Sequence, residues 1–290
     1  MEKKELLDYM TEQAEISAKI FEEHGAKFTG IGKTKALGRM KDGNVIMRFL
    51  DSYTGTAGVK DGGGNEIAGV QKGLGRMNLE MTVKLYHMLE KELGIPTQNR
   101  WHDAEQGILV ASHAQLLGKD MPFELMPVDE KFGSQITSGR KIECRSRGVE
   151  IIGRNVGTGS FQNQWPHMQD GIDLRDERGY PLIDLTVKWD GEGHDWYPGD
   201  PKFPRSYFVR QGVNKNDLDT AINYTQHATK FLTKQFEKQG IKLLDTKMEF
   251  GKTQSDRLIL VDEISTGTSR LRRDGKKMSE AEIHAAVMEM

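Results

Sequence analysis

The residues best suited to chemistry lie between Ile241 and Leu271, where two apolar runs, IKLLDTKMEF and RLILVDEI, flank the breaker cluster GKTQSD. That pattern predicts a hairpin of two strands. With a symmetric turn, Asp245 and Asp262 oppose each other, and Lys247 and Glu249 point to the same face, because strand side chains alternate with period two. Three carboxylates and an amine in strands apolar enough to be buried repel one another unless a cation lies among them. A hard, oxygen-seeking ion such as Mg²⁺ suits that place, with a phosphate chain completing its ligands. The competing reading is the commoner one, of acids solvated at strand ends.

Other stretches carry weaker chemistry. GKTK places Lys33 and Lys35 on one strand face of a hairpin that turns at KDGN and resumes at Val45. An exposed lysine pair is ordinarily solvated surface, and the pattern is not a P-loop, which needs a longer glycine loop before GK[ST] and a helix. VEIIGRNVGTGS sets Arg154 at a strand end beside Gly159 and Ser160. Guanidinium, hydroxyl and backbone N–H groups there would form a compact phosphate cradle, the alternative being an arginine in solvent. His194 with Asp190, Asp195 and Asp200 suggests a zinc or general-base site, but the spacing fits no standard zinc pattern, and carboxylate-rich loops usually bind water. The single cysteine, Cys144, excludes an internal disulfide and a multi-cysteine zinc site, and reads as a small buried hydrophobe.

These groups need elements to position them. Leu6, Met10, Gln13, Ser17, Ile20 and Phe21 predict an amphipathic helix over 4–23 that ends at Gly25, with packing or an oligomer contact as its default role. The glycine-rich stretch from Asp51 to Asn78 reads as mostly loop, and Asn78 as the N-cap of a core helix that stops at Gly94. GILVAS, residues 107 to 112, is a buried strand, residues 113–133 are irregular, and RKIECRSRGVEIIGR crosses from one strand to another. A strand follows over Pro181 to Val187, then a long helix over Asn216 to Gln239 with Leu218, Ile222, Thr225, Thr229, Leu232 and Phe236 on one face, and a short helix near the end.

With 290 residues, 36% apolar, 29% charged and a net charge of −2, the chain reads as one large globular domain or two lobes. It lacks the basic excess of an electrostatic nucleic-acid binder. No apolar run approaches the roughly 20 residues of a bilayer span, and MEKKELLDYM has no signal-peptide core, so a cytoplasmic protein is expected.

DTKMEFG and VDEISTGTSRL, preceded in order by GKTK, GRMN and VEIIGRNVGTGS, resemble the motifs of the SAICAR synthetases of purine biosynthesis over most of Gly32 to Leu271. The resemblance implies an α+β, two-lobed fold: an antiparallel-sheet N-lobe, a larger C-lobe, and ATP in the cleft between them. It divides the chain into a helical extension (1–25), an ATP-binding lobe (26–146) and a substrate- and metal-binding lobe (147–290), with adenine against the backbone around 143–147. In that family the positions matching Glu249 and Asp262 hold the Mg²⁺ of ATP, and those matching Lys33 and Lys35 contact its phosphates. Lys247 would sit at the transferring phosphoryl group. Arg154, Ser160 and Arg270 would grip the ribonucleotide, and Lys188 and Asp190 would lie near the amino acid. The implied reaction joins L-aspartate to the carboxylate of carboxyaminoimidazole ribonucleotide (CAIR) through an acyl phosphate, giving SAICAR, ADP and phosphate. Its partners are small molecules, without nucleic acid or membrane, and a homo-oligomer is left open. Departures are Thr56 in place of an acid, the long glycine loop 54–75, the insertion 113–133, Trp189, Trp196 and an early end. They keep in view a ligase with another nucleotide or amino acid, and a catalytically silent nucleotide-binding homologue.

Overall fold

The computed structural model describes residues 3–56, 59–60, 66–125, 142–159, 161–162, 165–189 and 200–290. Ser160, Asp190, His194, Asp195 and Trp196 lie outside the described residues, as does the side chain of Thr56.

Helix α1 (Lys3–Glu23) runs to a left-handed Gly25, as the apolar periodicity predicts. Strands β1 (Ala26–Ile31), β2 (Lys35–Met40) and β3 (Val45–Phe49) follow as an antiparallel meander with the KDGN turn between β2 and β3. One expectation fails here. The Gly32 N–H donates to the Lys35 carbonyl at 2.7 Å, closing a tight turn before β2, so Lys33 sits in that turn and shares no strand face with Lys35.

The glycine-rich stretch, expected as loop, carries β4 (Ser52–Thr56), β5 (Val59–Lys60) and β6 (Glu66–Val70) in a sheet of their own. Glycine there serves packing: a Cβ on Gly69 would lie 2.4 Å from the Tyr53 hydroxyl. Helix α2 (Leu74–Leu93) begins before Asn78, because N–H groups at its start are satisfied from the corner between β3 and β4. The Asp51 carboxylate accepts from Gly73 N at 3.0 Å and Gly75 N at 2.9 Å. Asn78 is therefore no cap but a buried acceptor for the Thr266 hydroxyl at 2.8 Å.

Strands β7 (Asn99–Asp103) and β8 (Ile108–Ala111) complete a five-stranded antiparallel sheet, ordered β1-β2-β3-β8-β7. Alternation along β3 and β8 divides its faces. Ile46, Ile108 and Val110 pack with Phe21 of α1, whereas Met47, Phe49, Leu109 and Ala111 pack with Leu79 of α2. Helix α2 lies so close to β3 that a Cβ on Gly75 would sit 2.5 Å from the Phe49 carbonyl oxygen, which cannot move aside as a side chain could. Gly75→Ala is expected to destabilise the protein by about 1–3 kcal/mol, read from its urea unfolding midpoint.

The remaining strands are β9 (Gln115–Leu116), β10 (Pro122–Leu125), β11 (Ile142–Arg145), β12 (Gly148–Arg154) and β13 (Leu182–Lys188), so the stretch expected to be irregular contributes strands too. After α3 (Arg205–Arg210) and α4 (Lys215–Glu237) come β14 (Ile241–Lys252), β15 (Leu258–Val261), β16 (Ser269–Arg273), β17 (Lys276–Lys277) and α5 (Glu280–Met288). The second sheet has the order β13-β12-β14-β16-β17, with β9 and β15 also pairing β14. Its apolar face, including Ile151, Met248 and Phe250, joins Leu218, Ala228 and Leu232 of α4 in the main core. That core also takes in Leu117, Phe123 and Trp189, whose ring lies edge-on to Phe123 with centroids 5.9 Å apart. Trp189 thus fills core space.

The predicted hairpin of β14 and β15 forms, but not symmetrically. Its register pairs Lys252 with Leu258 and Glu249 with Val261, across a turn closed by the Thr253 N–H on the Arg257 carbonyl at 3.0 Å. Asp245 consequently never faces Asp262; it lies across from Arg154 on β12 and Arg270 on β16.

Candidate active site

Period-two alternation turns the sequence D-T-K-M-E-F of β14 into two faces. Met248 and Phe250 enter the core, while Asp245, Lys247 and Glu249 share the opposite side. Cross-strand pairing adds Glu150 beside Glu249, Arg154 beside Asp245, and Thr186 beside Glu150. The result is a charged sheet face backed by an apolar one.

Two clusters divide this face. In the first, Lys188 Nζ donates to Glu249 Oε1 at 2.8 Å, and Lys247 Nζ donates to Glu150 Oε1 at 2.5 Å while lying 3.9 Å from Glu249 Oε1. The other sheet reaches in through Lys35, which bonds Asp262 Oδ1 at 2.8 Å and also the Glu263 carboxylate. Asp262 has left β15 in the left-handed region, φ 66°, and its carbonyl accepts from Tyr86 Oη at 3.1 Å and Gln98 Nε2 at 2.9 Å. Aspartate tolerates that backbone better than most residues, and the bend delivers its carboxylate to the lysines.

In the second cluster the Arg154 side chain is 0% exposed, with Nε on Asp184 Oδ2 at 2.6 Å and Nη1 on Asp245 Oδ2 at 3.1 Å. Lys202 joins Asp184 at 3.1 Å, and Arg270 joins Asp245 at 2.8 Å. The Arg270 guanidinium also covers left-handed Gly159, φ 59°, where a Cβ would come within 3.1 Å of its Cζ. This is the glycine before Ser160, so the turn of the expected phosphate cradle lies against Arg270 rather than in open solvent.

Electrostatics follow from the packing. Burial alone would raise the Asp262 carboxyl, but Lys35, Lys188 and Lys247 hold it well below the usual carboxylate range. Glu249 moves the other way, pushed up by burial and by the charge of Asp262 despite Lys188. For Glu150, burial is outweighed by Lys247 and Lys188, and it stays ionised more readily than usual. Burial likewise opposes charge on Lys35, Lys188 and Lys247, yet the surrounding carboxylates raise all three.

Asp200, buried and near the Glu150 carboxylate, is pushed up to about 7 from 3.8. The native protein therefore holds a proton that the unfolded chain releases from about pH 4 upward, so this group's contribution to stability is lost as pH rises through 7. Asp200→Asn should show a Tm advantage over the parent that widens from pH 5 to pH 8 and is then constant. A difference independent of pH would place the Asp200 carboxyl at an ordinary value.

The expected gathering of three carboxylates about one cation does not occur. Asp245 is taken by two arginines, and among the described residues no three His, Cys, Asp or Glu side chains cluster to hold a metal. Glu249 and Asp262 remain, close enough for each charge to act on the other. Two carboxylates completed by phosphate oxygens and water are a usual donor set for Mg²⁺. The residues present fit that ion.

The sequence assigns no role to Glu150, Asp184, Lys202 or Glu263, and names Asp200 only within the disfavoured zinc or general-base group around His194. Glu150 was within reach, since it lies four residues from Arg154 on the same strand face. Asp184 likewise falls within the expected strand, but its partners come from β12 and from the segment before α3.

Two packed lobes, each built on an antiparallel sheet, with lysine–carboxylate bridges between them and arginines beside a glycine turn, make this a two-lobed α+β enzyme equipped to hold phosphate groups. The family model for SAICAR synthetase matches residues 29–284. A phosphoribosylaminoimidazole-succinocarboxamide synthase from Clostridium tetani is 27% identical over 260 residues, 89% of this chain and 97% of its own. A synthase of the same name from Thermococcus sibiricus is 28% identical, covering 82% and 81%. Among solved structures, a SAICAR synthetase in complex with ADP has the same fold, with a TM-score of 0.65 and 22% identity over 91% of this chain and 95% of that one. The chain belongs to the SAICAR synthetase family and is an ATP-dependent ligase.

Proposed function

We propose that this ligase of purine biosynthesis joins L-aspartate to the carboxylate of CAIR, giving SAICAR, ADP and phosphate. The observation that carries the reading is the set of lysines held on acids where the two sheets meet: Lys35 on Asp262 and Glu263, Lys188 on Glu249, and Lys247 on Glu150. The names of the relatives and the ADP complex of a structural neighbour support it, as does a Saccharomyces cerevisiae SAICAR synthase complexed with SAICAR, TM-score 0.57.

A carboxylate is a poor acylating agent because oxide would have to leave. Transfer of the ATP γ-phosphoryl group to a carboxylate oxygen gives an acyl phosphate and ADP; attack by the aspartate nitrogen then forms the amide and expels phosphate. Catalysis is then mainly positioning and charge neutralisation. In this reading residues 26–146 supply the nucleotide-facing lobe, with Lys33 and Lys35 on the phosphates, and residues 147–290 the substrate-facing one. Lys247 meets the transferring phosphoryl group. Glu249 and Asp262 would hold Mg²⁺, which when bound would supply positive charge to the phosphate oxygens. Arg270 and Ser160 bind the ribonucleotide phosphate, with Arg154 buried behind Asp245 so that Arg270 stays aimed. Lys188 and Asp190 face the amino acid. The attacking amine must lose a proton, and Asp200, at about 7 and close to Lys247, is matched to receive it. No helix among the described residues is long and apolar enough to cross a membrane; a cytoplasmic location is part of the proposal.

The test is a mass-spectrometric product assay with Mg²⁺-ATP, CAIR and L-aspartate, each omitted in turn. Succinocarboxamide with matching ADP release is expected. ATP binding without product would redirect the reading to another nucleotide carboxylate or amine, and absence of ATP binding would overturn it.

A further inference from the structure

Of the two residues proposed to hold Mg²⁺, Glu249 is fixed within β14 by pairing on both sides, with Glu150 and Val261. Asp262 lies just past the end of β15 with φ 66°. A residue other than glycine keeps that conformation only where its surroundings over-determine it. Here the surroundings come largely from α2. Asn78, Thr82 and Tyr86 recur every four residues and form one buried polar stripe along that helix. The stripe meets alternate residues of the segment that leaves β15. The Thr266 hydroxyl donates to Asn78 Oδ1 at 2.8 Å. Thr82 Oγ1 lies 3.3 Å from the Ile264 carbonyl and 2.7 Å from that of Asn78. Tyr86 Oη donates to the Asp262 carbonyl at 3.1 Å. At the intervening positions Ser265 bonds Glu263, and Glu263 takes Lys35.

Gln98 grips the same carbonyl from a second direction. Its main chain ties the two lobes, the N–H donating to Leu260 of β15 at 2.9 Å and the carbonyl accepting from Ser112 N, beyond β8, at 2.8 Å. Its buried side chain donates from Nε2 to the Asp262 carbonyl at 2.9 Å, and Nε2 lies 3.5 Å from Tyr86 Oη. The hydrogen-bond directions agree. Tyr86 gives its proton to Asp262 and can accept from Gln98, while the Asp262 carbonyl has one lone pair for each donor. One donor satisfies a carbonyl; two from different elements also fix the orientation of its peptide.

We propose that Tyr86 and Gln98 are positioning residues of the metal site: clamped on the Asp262 carbonyl, they hold the left-handed bend that aims its carboxylate at the place of Mg²⁺. The inference rests on the assignment of Asp262 to Mg²⁺ made above. Tyr86→Phe keeps the ring and removes one donor; Gln98→Met keeps the reach of the side chain and removes the other. Each should raise the calorimetric Kd for Mg²⁺-ADP by roughly threefold to tenfold, the range of one hydrogen bond. The Kd for ADP in EDTA and the KM for CAIR should not move, which a general loosening of the fold would not spare. In an Asp262→Asn background neither change should weaken Mg²⁺-ADP further, because both act through that carboxylate. An unchanged Kd for Mg²⁺-ADP in either variant, an equal loss for metal-free ADP, or a loss that persists in full beside Asp262→Asn would overturn the proposal. Asp262→Asn alone separates the two levels. If Mg²⁺ strengthens ADP binding to it as much as to the parent, the metal assignment fails and this inference with it. If it loses that strengthening while Tyr86→Phe and Gln98→Met keep it, this inference alone fails.

Discussion

Asp262→Asn is expected to lower turnover by at least about a hundredfold, the scale of losing one charge-stabilising contact to a developing transition state, while the protein stays folded. Each half of that expectation has its own reason. Asn keeps the shape of Asp and accepts the left-handed backbone at φ 66° about as readily. The carbonyl bonds from Tyr86 and Gln98 are backbone contacts and survive the change, and Lys35 keeps its second partner, Glu263. What disappears is the negative charge that Lys35, Lys188 and Lys247 maintain at every working pH, and with it half of the pair proposed to hold Mg²⁺. The measurements are kcat at saturating substrates, the Mg²⁺ concentration for half-maximal rate, and Tm. Unchanged activity would remove Asp262 from the metal role and leave its ion pair with Lys35 as a purely structural clamp.

Arg154→Met carries the largest expected cost in stability, about 3–5 kcal/mol by denaturant unfolding. Its guanidinium is wholly enclosed and answers two carboxylates, of which Asp245 is nearly as buried. Methionine fills much of the stem volume but leaves the Asp184 carboxylate to Lys202 and the Asp245 carboxylate to Arg270. Removing Asp245 as well, as Arg154→Met with Asp245→Asn, should return part of the loss, because the second change takes away the charge the first exposed. A cost below about 1 kcal/mol, the size of a surface pair, would show that water enters this cluster and that Arg154 is free to touch a ligand itself.

The elements were legible where a local rule decides them: the apolar stripe of α1, the KDGN turn, Gly94 after α2, and the alternation that sets Asp245, Lys247 and Glu249 on one face of β14. Motif order was enough to assign the family, which the comparisons bear out. Local rules also misled. Asn78 has the chemistry of a cap, but Asp51, brought from the corner between β3 and β4, already serves the N–H groups at that helix end. The glycine-rich stretch looks like loop, yet its Gly69 makes room for Tyr53 within a sheet.

Sequence by itself determined which way side chains point, because strand and helix periods are properties of the backbone. Tertiary structure decided which charges meet. Asp262 faces Lys35, far away in the chain, rather than Asp245 in its own hairpin. A shift in turn position that leaves both strands intact changes every cross-strand partner, and such a shift is set by packing against other segments, here Pro96 and Gln98 bonded to the outer edge of β15 at Leu260.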